Sequence, residues 1–179
     1  AGRGAGPTWI GYAVPLVDSS KPRMICCGSY SSGDNNTMCC GGCPLEKDDY
    51  SSFNTRSGEC MQDTPQQNLV VFLRYSSGQV TRVRTVTPNC AVDANGLTVH
   101  WLTDVRPAES VALLAMLAPQ SDSSEHNVAD SAIMAISLHA DASADTVLAR
   151  LVAADQPERT REKTAFWIAS ERGHTGFAM

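Results

Sequence analysis

Seven cysteines are the residues of this chain whose types and spacing could do chemistry, and six of them, Cys26, Cys27, Cys39, Cys40, Cys43 and Cys60, fall in one stretch with Cys90 beyond it. Three chemistries fit. In an oxidising compartment they pair as disulfides, and with an odd total one is left over; spacing alone does not choose the connectivity. Neighbours in Cys26-Cys27 and Cys39-Cys40 are poorly placed to bond to each other, because adjacent Cα atoms lie about 3.8 Å apart and bridges begin near ~4.4 Å. Each member should reach elsewhere, and Cys90 is the obvious distant partner for the Cys26-Cys27 pair. The second chemistry is a zinc thiolate site built on the knuckle Cys40-Gly-Gly-Cys43, with Cys26 and Cys27 as the other half. A zinc ribbon wants a second C-x-x-C, however, and the chain has none. The third is thiol redox work by the Cys39, Cys40 and Cys43 cluster. Such a motif belongs at a helix N-terminus, whereas Gly41, Gly42 and Pro44 read as a turn.

The remaining reactive side chains form no constellation. His100, His126, His139 and His174 share no ligand spacing, and His139, ending a helical face, reads as a satisfied structural histidine. No G-x-S-x-G, phosphate-binding glycine loop or H-E-x-x-H occurs, so no catalytic residue, cofactor or small-molecule substrate is assigned. Asn35-Asn36-Thr37 is a glycosylation sequon if the source is eukaryotic. Trp9, Trp101, Phe166 and Trp167 read as core, except that Phe166 and Trp167 are adjacent on one helix and face directions about 100° apart. One of that pair is left to cover a neighbour or meet a partner.

The elements that must hold these residues fall into two groups. Trp9–Val17 reads as a strand in which Pro15 argues for an edge or a bulge. Residues 18–67 are rich in Ser, Gly, Asn, Asp and Cys with little apolar periodicity, and ordering such a loop costs about 1–2 kcal/mol per residue. A disulfide contributes about 2–4 kcal/mol, so two or three bridges plus buried anchors are required. Asn68–Tyr75 is an apolar run buried on both faces. Ser76, Ser77 and Gly78 turn it into Gln79–Thr87, whose Arg82 and Arg84 project together as on a half-exposed strand. Asn95-Gly96 predicts a type I′ hairpin between Cys90–Ala94 and Leu97–Leu102.

After Arg106-Pro107 the pattern changes to helices. Glu109–Ala118 is the first. Val128–His139 carries Val128, Ala132, Ala135, Ile136 and His139 on one face. Thr146–Ala154 is entered through the acidic Asp141–Asp145 segment, and Glu158–Glu171 follows Pro157 and stops at Gly173. The fourth helix overlays the second at an offset of 32, placing Val128 on Thr160, Ala132 on Thr164, Ala135 on Trp167 and Ile136 on Ile168, which is the signature of stacked helix pairs. This region resembles the HEAT-repeat family, whose helices read hydrophobic-Arg-x-x-Ala-x-x-Ala-Leu-Gly. Thr160–Ala169 keeps Arg161 and the Ile168 slot, with Thr164 and Trp167 in place of alanines and Ala169 in place of glycine. The resemblance covers Glu109–Met179. With the Trp-containing first strand and the Cys-Cys pair, the whole is similar to exported bacterial HEAT-repeat proteins without an assigned chemistry.

Length and charge bound the rest. A chain of 179 residues with 42% hydrophobic content builds a core large enough not to need staples, so its cysteines point to an extracytoplasmic compartment: periplasm, cell surface or secreted. The start at Ala1 rather than Met is compatible with processing. No run of 18 apolar residues spans a membrane. Residues 1–107 hold nine Lys/Arg against nine Asp/Glu and residues 108–179 five against ten, so there is no basic stripe for nucleic acid. The expected fold is α+β: an antiparallel β module over residues 1–107 with a Cys-rich loop at 18–67, followed by a HEAT-like helical array over 108–179. The function expected of it is non-enzymatic, a disulfide-stabilised protein-interaction or assembly module whose partner is a protein, either further copies or another subunit.

Overall fold

A computed structural model of the chain describes residues 6–20, 22–26, 29–31, 42–46, 64–119 and 127–176. The fold is α+β. Its strands are β1 (Thr8–Pro15), β2 (Pro22–Cys26), β3 (Ser29–Ser31), β4 (Cys43–Pro44), β5 (Thr64–Pro65), β6 (Asn68–Ser76), β7 (Gln79–Val86), β8 (Val92–Asp93) and β9 (Val99–Trp101). The helices α1 (Pro107–Leu117), α2 (Val128–Leu138), α3 (Ala142–Leu151), α4 (Glu158–Glu171) and the short α5 (Gly173–Gly176) follow.

The main sheet has the order β7-β6-β1-β9, and its strands β7, β6 and β1 are covered on both faces while β9 is exposed. Tyr12, Val14, Leu69, Val71, Leu73 and Val83 point to the helices, while Trp9, Val70, Phe72 and Val86 belong to a second cluster on the opposite face with Cys26, Cys43, Leu45 and Cys90. Alternation along a strand sends neighbours to opposite faces. With both faces covered, β6 therefore has to be apolar throughout, and Leu69 to Leu73 are all buried. The β6–β7 hairpin closes through Ser77 at φ 52° and Gly78 at φ 81°, the pair of positive φ values that a two-residue type I′ turn demands.

Pro15 ends β1 opposite Asn68, beyond the stretch Trp9–Gly11 that pairs with β9. There the strand's flank is taken over by the chain leaving α2, with Ala140 N–H donating to the Pro15 carbonyl at 3.0 Å and Val17 N–H to the Leu138 carbonyl at 2.8 Å.

The periodicity places all four main helices, although α3 begins at Ala142 and ends at Leu151, earlier than the expected Thr146–Ala154 because its cap is Asp141, and the helix ends have visible causes. Asp141 caps α3 by accepting from the Ser143 amide at 2.9 Å. Gly173 adopts φ +49° just past α4, a left-handed turn that glycine adopts without strain. Helix α2 packs against α1, α3, α4 and β7, so nine of its residues are buried rather than a single stripe. Residues on either side of the 107/108 boundary share one core, in which Val71 and Leu73 meet Val111, Leu114, Ile133 and Ile136.

Two strand expectations are corrected. Asn95 and Gly96 do turn, at φ 52° and 77°, with Asp93 Oδ1 accepting from Asn95 N–H at 2.8 Å, but their arms do not pair with each other. Each arm pairs with a distant strand instead: β8 runs parallel to β4, next to the Cys43–Cys90 bridge, and β9 runs parallel to β1. The β part is thus not purely antiparallel. Arg82 is not on a half-exposed face either: it is 3% exposed, and it and Arg84 both donate to the Leu45 carbonyl, at 2.9 and 3.4 Å.

Candidate functional site

The outer face of the sheet is covered by a five-residue piece of the Cys-rich loop, residues 42–46. Cys43 bonds to Cys90, and its amide donates to the Ala91 carbonyl at 2.7 Å while Leu45 N–H donates to the Asp93 carbonyl at 2.8 Å. The Leu45 side chain is fully buried in the outer cluster. Glu46 closes the arrangement, its carboxylate accepting from the Trp9 indole N–H at 2.8 Å and from Arg74 Nε at 2.9 Å. One bridge, one inserted leucine and one shared carboxylate therefore fasten a segment whose regular structure is only the two-residue strand β4, as the cost of ordering such backbone requires.

Beside this covering lies an apolar, half-open cleft of about 300 Å³. Val70, Phe72, Val86 and Cys90 are its buried walls, and Val92 and Trp101, 39% and 52% exposed, form the open side. Trp101 was expected in the core. It sits outside because β9 is the last strand of the sheet, and its ring packs edge-on to Phe72 at a centroid distance of 6.3 Å. Gly11, paired with Trp101 across the ladder, makes this possible: a Cβ there would stand 2.7 Å from the Phe72 ring and 3.0 Å from Trp101. Trp9 completes the row, edge-on to Phe72 at 6.4 Å.

A second constellation is wholly interior. Ser110 Oγ lies 2.8 Å from His139 Nε2, and Tyr12 Oη lies 2.8 Å from Ser110 Oγ. His139 Nδ1 is 2.7 Å from the Ala135 carbonyl, an acceptor only. Nδ1 therefore carries a proton, and in the neutral ring Nε2 accepts from the Ser110 hydroxyl, which in turn accepts from Tyr12. Burial is the largest influence on His139 and pushes its pKa below the usual histidine value, with the Ala135 carbonyl opposing it and Arg172 reinforcing it. Burial likewise raises the Tyr12 hydroxyl. The spacing is that of a nucleophile and its base, yet the three side chains are at most 2% exposed. A substrate cannot reach them, and the chain acts as a polar rivet joining β1, α1 and α2. His139 matches its reading as a satisfied structural histidine; Ser110 is the member that sequence reasoning misses, its one signal being a serine beside Val111 on an apolar helix.

The other candidate residues are dispersed. Cys26 is buried and disulfide-bonded. Cys90 pairs with Cys43 and not with the Cys26-Cys27 pair, because β8 and β4 are neighbours in the fold. That bond occupies Cys43, the second thiol of the C-x-x-C knuckle. Cys27, Cys39, Cys40, Cys60, the Asn35-Asn36-Thr37 sequon and His126 lie outside the described residues. Among the described residues no group of three His, Cys, Asp or Glu is arranged to hold a metal, and no helix is long and apolar enough to cross a membrane. Phe166 is 60% exposed, whereas Trp167, edge-on to it at 5.1 Å, packs against the main core. Comparison of the chain with protein-family models, with curated proteins and with solved structures finds no match.

Proposed function

We propose that the protein is a non-enzymatic, extracytoplasmic interaction module that holds a partner protein through the outer-face cleft. The observation that carries this reading is the cleft beside Trp101: apolar, half open, floored by the buried Val70, Phe72 and Val86 and walled by Val92 and Trp101, which the fold leaves accessible. Binding sites are concave and mostly apolar, and aromatic side chains are enriched at protein interfaces. The Cys43–Cys90 bridge supports an oxidising compartment. The helical side belongs to the same proposal as a short HEAT-like array. It is supported by the 32-residue offset, since Ala132, Thr164 and Ile136 are fully buried and Ile168 nearly so at equivalent places of α2 and α4, which pack together.

An environment-sensitive apolar dye tests the cleft directly. Its emission should rise on the folded protein, fall in Trp101→Ala and stay unchanged in Phe166→Ala. A dye response that ignores Trp101, or none at all, rejects the cleft as the binding site. Mass measurement after alkylation without reductant tests the disulfide state, and modification of Cys26, Cys43 or Cys90 in native protein counts against the oxidising compartment.

A further inference from the structure

Among the described residues, strand β9 is the last of the sheet. Trp9 N–H donates to the Thr98 carbonyl at 2.9 Å, and Leu102 N–H donates to the Gly11 carbonyl at 2.8 Å. In a parallel ladder these bonds alternate along the strand, so the groups of Thr98, His100 and Leu102 that face β1 leave the N–H and C=O of Val99 and Trp101 directed away from it. Among the described residues nothing pairs with that edge. The opposite edge of the sheet is different: beyond β7, Thr87 N–H donates to the Ile25 carbonyl at 2.9 Å.

Sheet edges are normally blunted by lysine, proline or inward charges, since an open edge invites another chain. Leu97 to Thr103 contains no charged residue and no proline. Val99 and Trp101 share the cleft side of the sheet and are 38% and 52% exposed, with Leu102 at 46%. The edge thus offers two backbone donors and two acceptors in strand spacing, together with an apolar wall that continues into a cleft.

We infer that the occupant of this site is an extended segment of another polypeptide, which adds to β9 as a further strand and places alternate apolar side chains beside Trp101. The inference rests on the cleft being the binding site and adds the chemistry of what it binds. Alternating donors and acceptors at strand spacing are matched by a peptide backbone in extended form, and strand addition of this kind draws affinity from the main chain and specificity from pockets for alternate side chains. A second copy pairing edge to edge fits less well. Three part-exposed side chains fall far short of the ~800 Å² per partner of a standard interface, and two chains of net charge −5 repel.

The test is selection of linear peptides on the full chain from a displayed library, followed by synthesis of the strongest binder and N-methylation of its amides one at a time. Enriched peptides should carry apolar residues at alternate positions. Methylation at amides of one parity should weaken binding about tenfold, the scale of one lost hydrogen bond, while the other parity leaves it unchanged. Trp101→Ala should weaken binding and Phe166→Ala should not. Equal effects at both parities, with Trp101 still required, overturn strand addition and leave the cleft reading standing. Absence of any enriched peptide together with absence of the Trp101-dependent dye signal overturns both. Dimers in sedimentation that are displaced by the peptide and lost in Trp101→Ala assign the edge to a second copy and overturn the inference.

Discussion

His139 joins β1, α1 and α2 through buried hydrogen bonds to Ser110, which also holds Tyr12, and to the Ala135 carbonyl. Burial favours its neutral form, in which Nδ1–H donates to the Ala135 carbonyl and Nε2 accepts from Ser110. Burial, first, and the nearby Arg172 hold its pKa below the usual value against the pull of Ala135 and Asp141. In the unfolded chain a histidine titrates near pH ~6.5. Below that pH the unfolded state binds a proton that the folded state does not. Stability therefore falls as pH drops beneath about 6.5 and levels off below the folded value. Denaturant midpoints across this range should show the fall in the native protein, and its histidine component should be missing in His139→Gln. Ser110→Ala leaves the Tyr12 hydroxyl and His139 Nε2 without their partner, which should cost about 1–3 kcal/mol in the same measurement. A change within error would mean that the rivet carries no load.

At the scale of elements, the loop piece Cys43–Glu46 and the helix α2 show two ways of holding backbone in place. Helix α2 is held by packing on all sides, and its Ala132, Ala135 and Ile136 are fully buried. The loop piece relies on the bridge across 47 residues and on Leu45. A closed loop of that size predicts a loss of about 4 kcal/mol when cut in the chain-entropy treatment, fewer if other bridges already shorten it. The double variant Cys43→Ala, Cys90→Ala should accordingly lower the denaturation midpoint by an amount equivalent to about 2–4 kcal/mol. It should also increase apolar dye binding, because Trp9, Phe72 and Val86 lose part of their cover. Unchanged stability would show that Leu45 and the Glu46 carboxylate suffice.

For the whole molecule, the inner face of the sheet and the helices share one core: Leu69, Val71 and Leu73 contact the same cluster as Val111, Leu114 and Ile133. Removing the helices would expose that face to water at about 25 cal/mol per Å² of apolar surface. The two halves should therefore unfold together. Tryptophan fluorescence, which includes the fully buried Trp9, and helical circular dichroism should give coincident transitions. Two separated transitions would show that the change of composition at 107/108 is a true domain boundary.

Local rules were enough to place what depends on local physics. The four helices follow from apolar spacing, the α3 cap from Asp141, the end of α4 from Gly173, and the β6–β7 hairpin from an apolar run meeting Ser77-Gly78. The both-sided burial of β6 was legible for the same reason. What neighbours in sequence do not determine is which distant segments meet. The parallel pairing of β8 with β4 and of β9 with β1, the choice of Cys43 for Cys90, the burial of Arg82 under the Leu45 carbonyl and the meeting of Tyr12, Ser110 and His139 are all contacts between segments far apart in the chain. Trp101 makes the difference plain. Its alternating strand context suits a core position equally well, and only the order of strands, which leaves β9 last beside Gly11, turns it outward as the wall of the cleft.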